Sequence, residues 1–303
     1  MHWLLIALIA PSLWAASNHI DKHLLEKQIA HGGVGALMIF SALVGVFAIP
    51  AILLFGPPVL AISPLNGALI TLNGILYVVS LMPYYYALER DETSIVVPLF
   101  QISAIFSYAL GLAFLGEQLS WGQMLAALLI IGGSVMLTLE LGRQRLRIKA
   151  SVLALMLVAA LLNALNWFLF KFVAIQAQFL VTSFWEYIGF TLVGLFMLIF
   201  IRPYRAAFVA VLRTNTRNVL GLVALNEALS AVAKTATNLA SMTAPLALIS
   251  TVHGLQPLFA FIYGIVLTLY LPRYGSERIG GAIIAQKLAA LALITAGTYI
   301  LAA

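Results

Sequence analysis

Polar and ionisable residues recur at helical spacing inside an apolar stretch of this chain that reads NEALSAVAKTATNLAS. Steps of three and four residues place on one helix face Glu227, Ser230, Lys234, Thr237 or Asn238, and Ser241. A carboxylate and an ammonium on one face can bind a solute of mixed charge or exchange protons with it. Glu227 and Lys234 are separated by about 10 Å along the helix axis, so each needs another partner or a solute.

A second polar stripe lies earlier in the chain and has the same periodicity. Its members are Asn73, Tyr77, Ser80 and Tyr84, and Asn73 precedes Asn226 by 153 residues. Two such faces are what a shared aqueous cavity requires. The alternative is hydrogen bonding between packed helices, which we favour for the Ser and Thr positions. For Glu227 and Lys234 we favour the cavity, because a charge in hydrocarbon costs at least ~2.5 kcal/mol.

Three more ionisable residues lie within apolar segments. Glu186, in the stretch FWEYIGF, is the candidate ion-pair partner for this stripe, and the alternative is a carboxylate that caps the start of its helix. Lys171 and Lys287 are expected to extend along apolar surface until their amines reach the membrane surface.

Gln101 and His253 occupy matched positions, 152 residues apart, in the middle of two apolar segments. We expect them at the same depth. Pro257 follows His253 and weakens the helix there, because proline frees a carbonyl of the previous turn. His253 is either a hydrogen-bonded core residue or the group that responds to protons.

Aromatic and amide residues share faces with these groups. Trp14 and Asn18 do so in the first apolar segment, and Asn163 and Trp167 do so in the sixth. Such a lining, with one charge of each sign, suits an amphipathic or zwitterionic solute. We predict solute contacts from Asn18, Asn73, Tyr84, Gln101, Asn166, Trp167, Glu227, Lys234 and His253. The candidates for proton coupling are Glu186, Glu227 and His253.

The elements that carry these residues are membrane-spanning helices. The chain has 303 residues, of which 63% are hydrophobic and 9% charged, and this composition excludes a soluble domain. Short connections leave room only for helix hairpins. The sequence predicts ten spans, at residues 3–19, 33–55, 68–88, 95–115, 121–141, 152–175, 179–201, 219–240, 246–271 and 279–302.

The ten spans form two copies of a five-helix unit. QMLAALLIIGG in the fifth span returns as QKLAALALITAG in the tenth, and near-constant shifts align the other spans. We assign the first copy to residues 1–142, a basic linker to 143–150 and the second copy to 151–303. Because five is odd, the second copy enters from the opposite side, so the repeats are inverted around a central cavity. Small residues, among them Gly132, Gly133 and Gly297, are expected to allow close helix approach.

The basic residues give the orientation. Thirteen of the sixteen Lys and Arg residues fall in loops on one side. They are Lys22, Lys27, Arg90, Arg143, Arg145, Arg147, Lys149, Arg202, Arg205, Arg213, Arg217, Arg273 and Arg278. By the positive-inside rule this side is cytoplasmic, and both termini are non-cytoplasmic. The net charge of +6 therefore reflects membrane topology, and no nucleic-acid partner is expected.

The chain resembles the ten-span, EamA-type branch of the drug/metabolite transporter superfamily. The resemblance rests on the two halves, on PSLWAASNHIDK and on LGEQLSWGQMLAALLIIGGSVML. It implies transport of small organic molecules through a cavity lined by spans one, three, four, six, eight and nine. The small four-span relatives carry a Glu in their first span, where this chain has Asn18 and His19. Proton coupling through a first-span carboxylate is therefore not expected.

We expect a multi-pass inner-membrane protein, monomeric or weakly homo-oligomeric, that exports a small amphipathic or zwitterionic metabolite or drug by alternating access. The alternative is a membrane scaffold or sensor that keeps the fold without transporting. An intramembrane enzyme would need a paired acid and base at one depth, which only Glu186 or Glu227 with His253 can supply. No cofactor or metal site is expected, since the chain has no cysteine and no zinc-ligand spacing.

Overall fold

A computed structural model of the chain describes residues 2–25, 33–91, 96, 99–138, 149–214, 217–270 and 281–302. Twelve α-helices run through these residues. They are α1 (His2–His23), α2 (Gly33–Phe55), α3 (Pro64–Arg90), α4 (Ile102–Leu115), α5 (Trp121–Thr138), α6 (Ala150–Ala174), α7 (Phe179–Phe200), α8 (Arg202–Thr214), α9 (Arg217–Ser241), α10 (Leu246–His253), α11 (Gln256–Tyr270) and α12 (Gly281–Ala302). The expectation of an all-helical protein is confirmed for the described residues.

The described residues contain seven helical stretches that are long and apolar enough to cross a membrane. One of them, Leu246–Val266, runs across α10 and α11. Three shorter apolar helices accompany them, at Ile102–Leu115, Trp121–Met136 and Ala285–Leu301. The chain is a multi-pass membrane protein. The basic linker predicted at 143–150 lies mostly outside the described residues.

The first helix is longer than the sequence pattern predicts. We placed its end at residue 19, whereas α1 continues to His23. The extension places Asp21 inside the helix, one turn beyond Asn18. Both side chains are buried. The charged residues at the end of α1 ended the apolar pattern, but they did not end the helix.

The ninth predicted span is broken into α10 and α11 at Gly254 and Leu255. The break follows from Pro257, which has no N–H to donate to the carbonyl of His253 one turn earlier. Side chains from other helices satisfy the freed carbonyls instead. Gln101 Nε2 donates to His253 O at 3.4 Å, and the Ser134 hydroxyl donates to Gly254 O. The span predicted at 246–271 is thus present as the stretch Leu246–Val266, and it is broken where Pro257 was expected to weaken the helix.

Helix α8 was missing from the predicted spans, because its residues were assigned to a basic connection. It is amphipathic: Ala207, Phe208 and Val211 are buried, while Arg205 is exposed. The Arg205 guanidinium donates to the carbonyl of Ile199 at 3.2 Å. Its apolar face packs against α2 and α7 as part of the apolar core.

Packing between helices joins the two halves of the chain. Helix α3 packs between α6 and α7, and α1 packs against α9, α10 and α11. Helix α2 packs against α7, α4 packs against α10, and α5 packs against α12. One apolar core surrounds Met38, Leu88 and Met156, and a second surrounds Ile130 and Leu248.

Helices α5 and α12 meet through two glycines. A Cβ atom on Gly133 would lie 2.8 Å from Ile294 Cγ1 and 2.9 Å from Ala290 O. A Cβ atom on Gly297 would lie 2.8 Å from both Ala126 O and Ile130 Cγ1. Glycine therefore permits the close approach at both points. Gly132, which we expected to act in the same way, faces open space.

Alanine substitutions at the adjacent glycines are expected to have opposite effects. Gly133→Ala forces α5 and α12 apart and should lower the free energy of unfolding by about 1–3 kcal/mol. Gly132→Ala meets no atom within 4 Å and should be neutral or raise stability by up to about 1 kcal/mol through helix propensity. Unfolding of both variants in one detergent would measure this. Equal effects would contradict the close contact at Gly133.

Candidate functional site: a polar cavity between the helices

A cavity of about 1020 Å³, counting the solvent space it opens to, lies between the helices. Most of its wall comes from the C-terminal halves of α1 and α3, the middle of α9, and α6 and α7. Its ionisable lining residues are Asp21, Glu227, Lys234 and His253. Its aromatic lining residues are Trp14, Tyr77, Tyr84, Tyr85, Phe100, Trp167, Tyr187 and Phe190. The mixture of rings and charges is suited to an amphipathic solute.

The structure brings most of the predicted binding residues to this cavity. Seven of the nine line it: Asn18, Tyr84, Gln101, Trp167, Glu227, Lys234 and His253. The other two, Asn73 and Asn166, are fully buried and lie behind the wall. Their amides hold the ion pair described next, so their place is to support the lining rather than to form it. That these residues bind a solute stays a prediction.

Glu186 is the partner of Lys234. Lys234 Nζ lies 3.1 Å from Glu186 Oε1, and the two side chains are only 3% and 2% exposed. Such burial is inconsistent with a carboxylate that caps a helix end, so this alternative is excluded. A charge pair this deep is stable only when its remaining hydrogen-bonding positions are filled.

Asparagine side chains fill those positions. Asn73 Nδ2 donates to Glu186 Oε1 at 2.9 Å, and Asn238 Nδ2 donates to Oε2 at 3.1 Å. Lys234 donates to Asn166 Oδ1 at 3.0 Å and lies over the Tyr77 ring, 4.1 Å from its centroid. The ammonium is therefore paired, hydrogen-bonded and covered by an aromatic face.

Two carboxylates at the cavity have no such cation. Asp21 accepts a hydrogen bond from Asn226 Nδ2 at 2.8 Å, and Glu227 accepts one from the Ser41 hydroxyl at 2.9 Å. Among the described residues, no ion pair includes either carboxylate. The cavity therefore carries more acidic than basic groups.

Asp21 is a site residue that the sequence analysis missed. It follows Asn18 by three residues and Trp14 by seven, which is the spacing of one helix face. It was left out because the first span was ended at residue 19. The expectation that the first span offers only Asn18 and His19 was incomplete for the same reason, since Asp21 lies in the first helix and lines the cavity.

His253 lies in an aromatic environment at the cavity wall. Its ring centroid is 5.0 Å from that of Trp14 and 4.6 Å from that of Trp167. Nε2 lies 3.2 Å from the hydroxyl oxygen of Thr237. His253 Nδ1, Gln101 Oε1 and Asn18 Nδ2 are buried polar atoms without a hydrogen-bond partner in the structure.

The expectation for Lys171 was wrong. Its side chain is buried, its amine forms an ion pair with Glu117 and it donates to the carbonyl of Ala244 at 2.6 Å. Glu117 Oε2 also accepts from the backbone N–H of Leu246 at 2.8 Å. For Lys171 a partner within the protein therefore replaces the membrane surface. Lys287 is half-buried and its amine lies over the Phe261 ring, 3.9 Å from the centroid, and its reach to the membrane surface stays a prediction.

The described residues form an all-helical, multi-pass membrane protein with a polar cavity between its helices. Residues 1–139 match the model of the EamA-like transporter family, which belongs to the drug/metabolite transporter superfamily. The match covers slightly less than half of the chain, and it confirms the expected resemblance over those residues. It points to a membrane transporter of the drug/metabolite type.

Two further similarities accompany this match. An uncharacterized protein of Methanocaldococcus jannaschii is 38% identical over 69 residues, which are 23% of this chain and 50% of that protein. The aligned region thus spans half the length of that curated relative. A crystal structure of another protein has a TM-score of 0.67 at 16% identity, and the match covers 98% of this chain and 94% of that chain. At this identity it shows a shared fold and nothing more.

Removing one member of the Glu186–Lys234 pair should destabilise the protein more than removing both. Glu186→Gln leaves a buried ammonium without a counter-charge, and Lys234→Met leaves a buried carboxylate, each at a cost of about 3–5 kcal/mol. The double variant removes both charges, so it should be more stable than either single variant. Unfolding of all three variants in detergent would measure the coupling.

The Asp91–Lys149 pair is the matched control, because its N–O distance is 3.6 Å and the Lys149 side chain is 58% exposed. The same cycle with Asp91→Asn and Lys149→Met should give a coupling below about 1 kcal/mol. Additive losses at Glu186 and Lys234 would show that the buried pair does not act as a unit.

Proposed function

We propose that the protein exports a small amphipathic metabolite or drug from the cell across the inner membrane by alternating access. In this proposal ten spans form two inverted five-helix repeats, and one repeat rocks against the other around the cavity. The observation that carries it is the aromatic cavity with its paired and unpaired charges, within a fold of the transporter family.

Reciprocal hydrogen bonds between the halves support the inverted repeat. The Ser17 hydroxyl on α1 donates to the Asn226 side chain on α9 at 2.7 Å. Asn166 Nδ2 on α6 donates to the backbone carbonyl of Asn73 on α3 at 3.1 Å. Shifts of 149 and 153 residues convert Ser17 to Asn166 and Asn73 to Asn226. The first helix of each half thus bonds to the third helix of the other half.

Reciprocal glycine contacts also support the inverted repeat. Gly45 on α2 faces Thr191 on α7, whereas Gly194 on α7 faces Ala42 on α2. A shift of 149 residues converts Gly45 to Gly194 and Ala42 to Thr191.

The crossing of α5 and α12 behaves in the same way. Gly133 faces Ala290 and Ile294, while Gly297 faces Ala126 and Ile130. A shift of 164 residues converts Gly133 to Gly297, Ala126 to Ala290 and Ile130 to Ile294. The packing is thus what a two-fold axis between the halves would produce.

The ends of the bundle differ in a way that suits alternating access. At one end the Glu117–Lys171 pair and the Glu117–Leu246 bond join the α4–α5 connection to the second half. The cavity lies toward the other end, where Lys22 donates to the Leu88 carbonyl at 3.5 Å and Lys149 pairs with Asp91. In our proposal this basic end is cytoplasmic, and the Glu117 contacts break when the cavity opens outward.

A membrane scaffold or sensor is the second candidate, since the same fold can bind a solute without moving it. An intramembrane enzyme has less support. His253 contacts Thr237, while the Glu186 carboxylate is held by Lys234 and asparagines. Neither Glu186 nor Glu227 is joined to His253 by the described hydrogen bonds and ion pairs.

A transporter and a scaffold differ in counterflow. Proteoliposomes loaded with unlabelled phenylalanine or phenethylamine should transiently accumulate the labelled form of a transported solute. Glu227→Gln should lower the initial rate at least about tenfold, because one lost contact to a charged group costs 1.5 kcal/mol or more. The exposed Glu89, outside the cavity, provides the control Glu89→Gln. Absence of exchange for these solutes and for a metabolite mixture would favour the scaffold.

The topology can be tested directly, because the chain has no cysteine. Single cysteines at Ser120 and Gln176 should react with an impermeant maleimide in intact cells. A cysteine at Arg213 should react only after permeabilisation. All three positions are exposed or lie in a basic connection, so access depends on the side of the membrane. Labelling of Ser120 and Gln176 from opposite sides would end the ten-span arrangement.

A further inference from the structure

We propose that the cavity selects protonated amines, that is, amphipathic solutes whose cationic head carries N–H donors. The inference deepens the proposed transport function, because it names the solute class for the same cavity. It replaces the broader expectation of an amphipathic or zwitterionic solute. Three independent features of the cavity wall carry it: its charge, its unpaired acceptors and its rings.

The charge of the lining is the first feature. Lys234 is the one lysine among the lining residues, and Glu186 neutralises it at 3.1 Å. Asp21 and Glu227 remain, and among the described residues neither forms an ion pair. Neutral donors from Asn226 and Ser41 orient these carboxyl groups, and a cation bound beside them would favour their ionised form. A cationic solute would supply the missing charge.

The unpaired acceptors are the second feature. The Thr237 hydroxyl gives its proton to the Ala233 carbonyl at 3.0 Å, so toward His253 its oxygen acts as an acceptor. Nε2 of His253, 3.2 Å from that oxygen, therefore carries the ring proton. Nδ1 is left as an acceptor without a donor.

Gln101 supplies a second acceptor of this kind. Its Nε2 is committed to the carbonyl of His253 at 3.4 Å, which leaves Oε1 without a partner. Gln101 and His253 are each 5% exposed and line the cavity. Two buried acceptors without donors are costly unless a bound group donates to them. An ammonium with N–H bonds does so, whereas a quaternary ammonium has no proton to give.

The rings are the third feature. Trp14 and Trp167 flank His253, and Tyr84 and Phe100 lie edge to face at 5.5 Å between centroids. Aromatic faces attract cations and cover apolar groups. Asn18 adds one unpaired donor, Nδ2, which suits a single carbonyl or hydroxyl oxygen on the solute. A full carboxylate on the solute would instead be repelled by Asp21 and Glu227.

Four solutes with one phenyl skeleton separate these features at pH 7. Phenethylamine is a cation with N–H donors, phenethyltrimethylammonium is a cation without them, phenylalanine is a zwitterion and 3-phenylpropionate is an anion. Equilibrium dialysis against the full chain in nanodiscs, with empty nanodiscs subtracted, would measure their dissociation constants. Phenethylamine should bind at least about tenfold more tightly than each of the others.

Substitutions of lining residues show which side chains cause the preference for phenethylamine. Asp21→Asn and Glu227→Gln should each reduce the preference for phenethylamine over 3-phenylpropionate about tenfold or more. Gln101→Leu should reduce the preference for phenethylamine over phenethyltrimethylammonium. Glu89→Gln, outside the cavity, should change neither ratio. If a variant does not fold, the four-solute series on the unmodified chain still tests the preference for protonated amines.

Equal or tighter binding of phenylalanine or 3-phenylpropionate would overturn the inference, as would equal binding of phenethyltrimethylammonium. Transport is tested separately by counterflow. Exchange of phenylalanine without a preference for phenethylamine would refute the amine selectivity and leave the transporter in place. Selective phenethylamine binding without any exchange would refute transport and support the amine site.

Discussion

The arrangement of this protein depends on the burial of one lysine amine in the middle of a helical bundle. Hydrocarbon offers Lys234 no hydrogen bonds, so the protein must supply both a counter-charge and acceptors. Glu186 on α7 supplies the charge, Asn166 on α6 accepts from the amine, and Asn73 on α3 holds the carboxylate. Four helices are thereby fixed around one ion pair, and this cluster forms the back wall of the cavity.

In our proposal, this pair also determines what the cavity can bind. Sequence periodicity showed one acid and one amine on a single helix face, which favoured a zwitterionic solute. The structure pairs the Lys234 amine with Glu186, which is not a lining residue of the cavity. It also adds Asp21 to the lining residues. Because the positive charge is already balanced, the remaining carboxylates set the character of the lining. The change from zwitterion to cation follows from pairing, which a sequence cannot display.

The sequence predicted helix faces better than partners and ends. The stripe with Glu227 and Lys234 and the shared depth of Gln101 and His253 follow from periodicity and from the repeat. Asn73 and Asn166 lie on polar faces too, but small rotations of a helix decide whether such an amide reaches the cavity or the layer behind it. Asp21 and α8 were missed because charged residues end an apolar pattern without ending a helix.

The two halves of the chain share their helix contacts but not their charged residues. The contacts of Ser17 with Asn226 and of Asn166 with Asn73 match, as do the glycine contacts. The charges do not match, because the shifts convert Asp21 to Phe170, Glu186 to Leu37 and Lys234 to Leu81. In our proposal, a frame with equivalent contacts in both halves exchanges one arrangement for its two-fold-related counterpart at little net cost in free energy. Charges placed unequally on that frame give each arrangement a different affinity for solute, and only such a difference lets a solute drive the exchange.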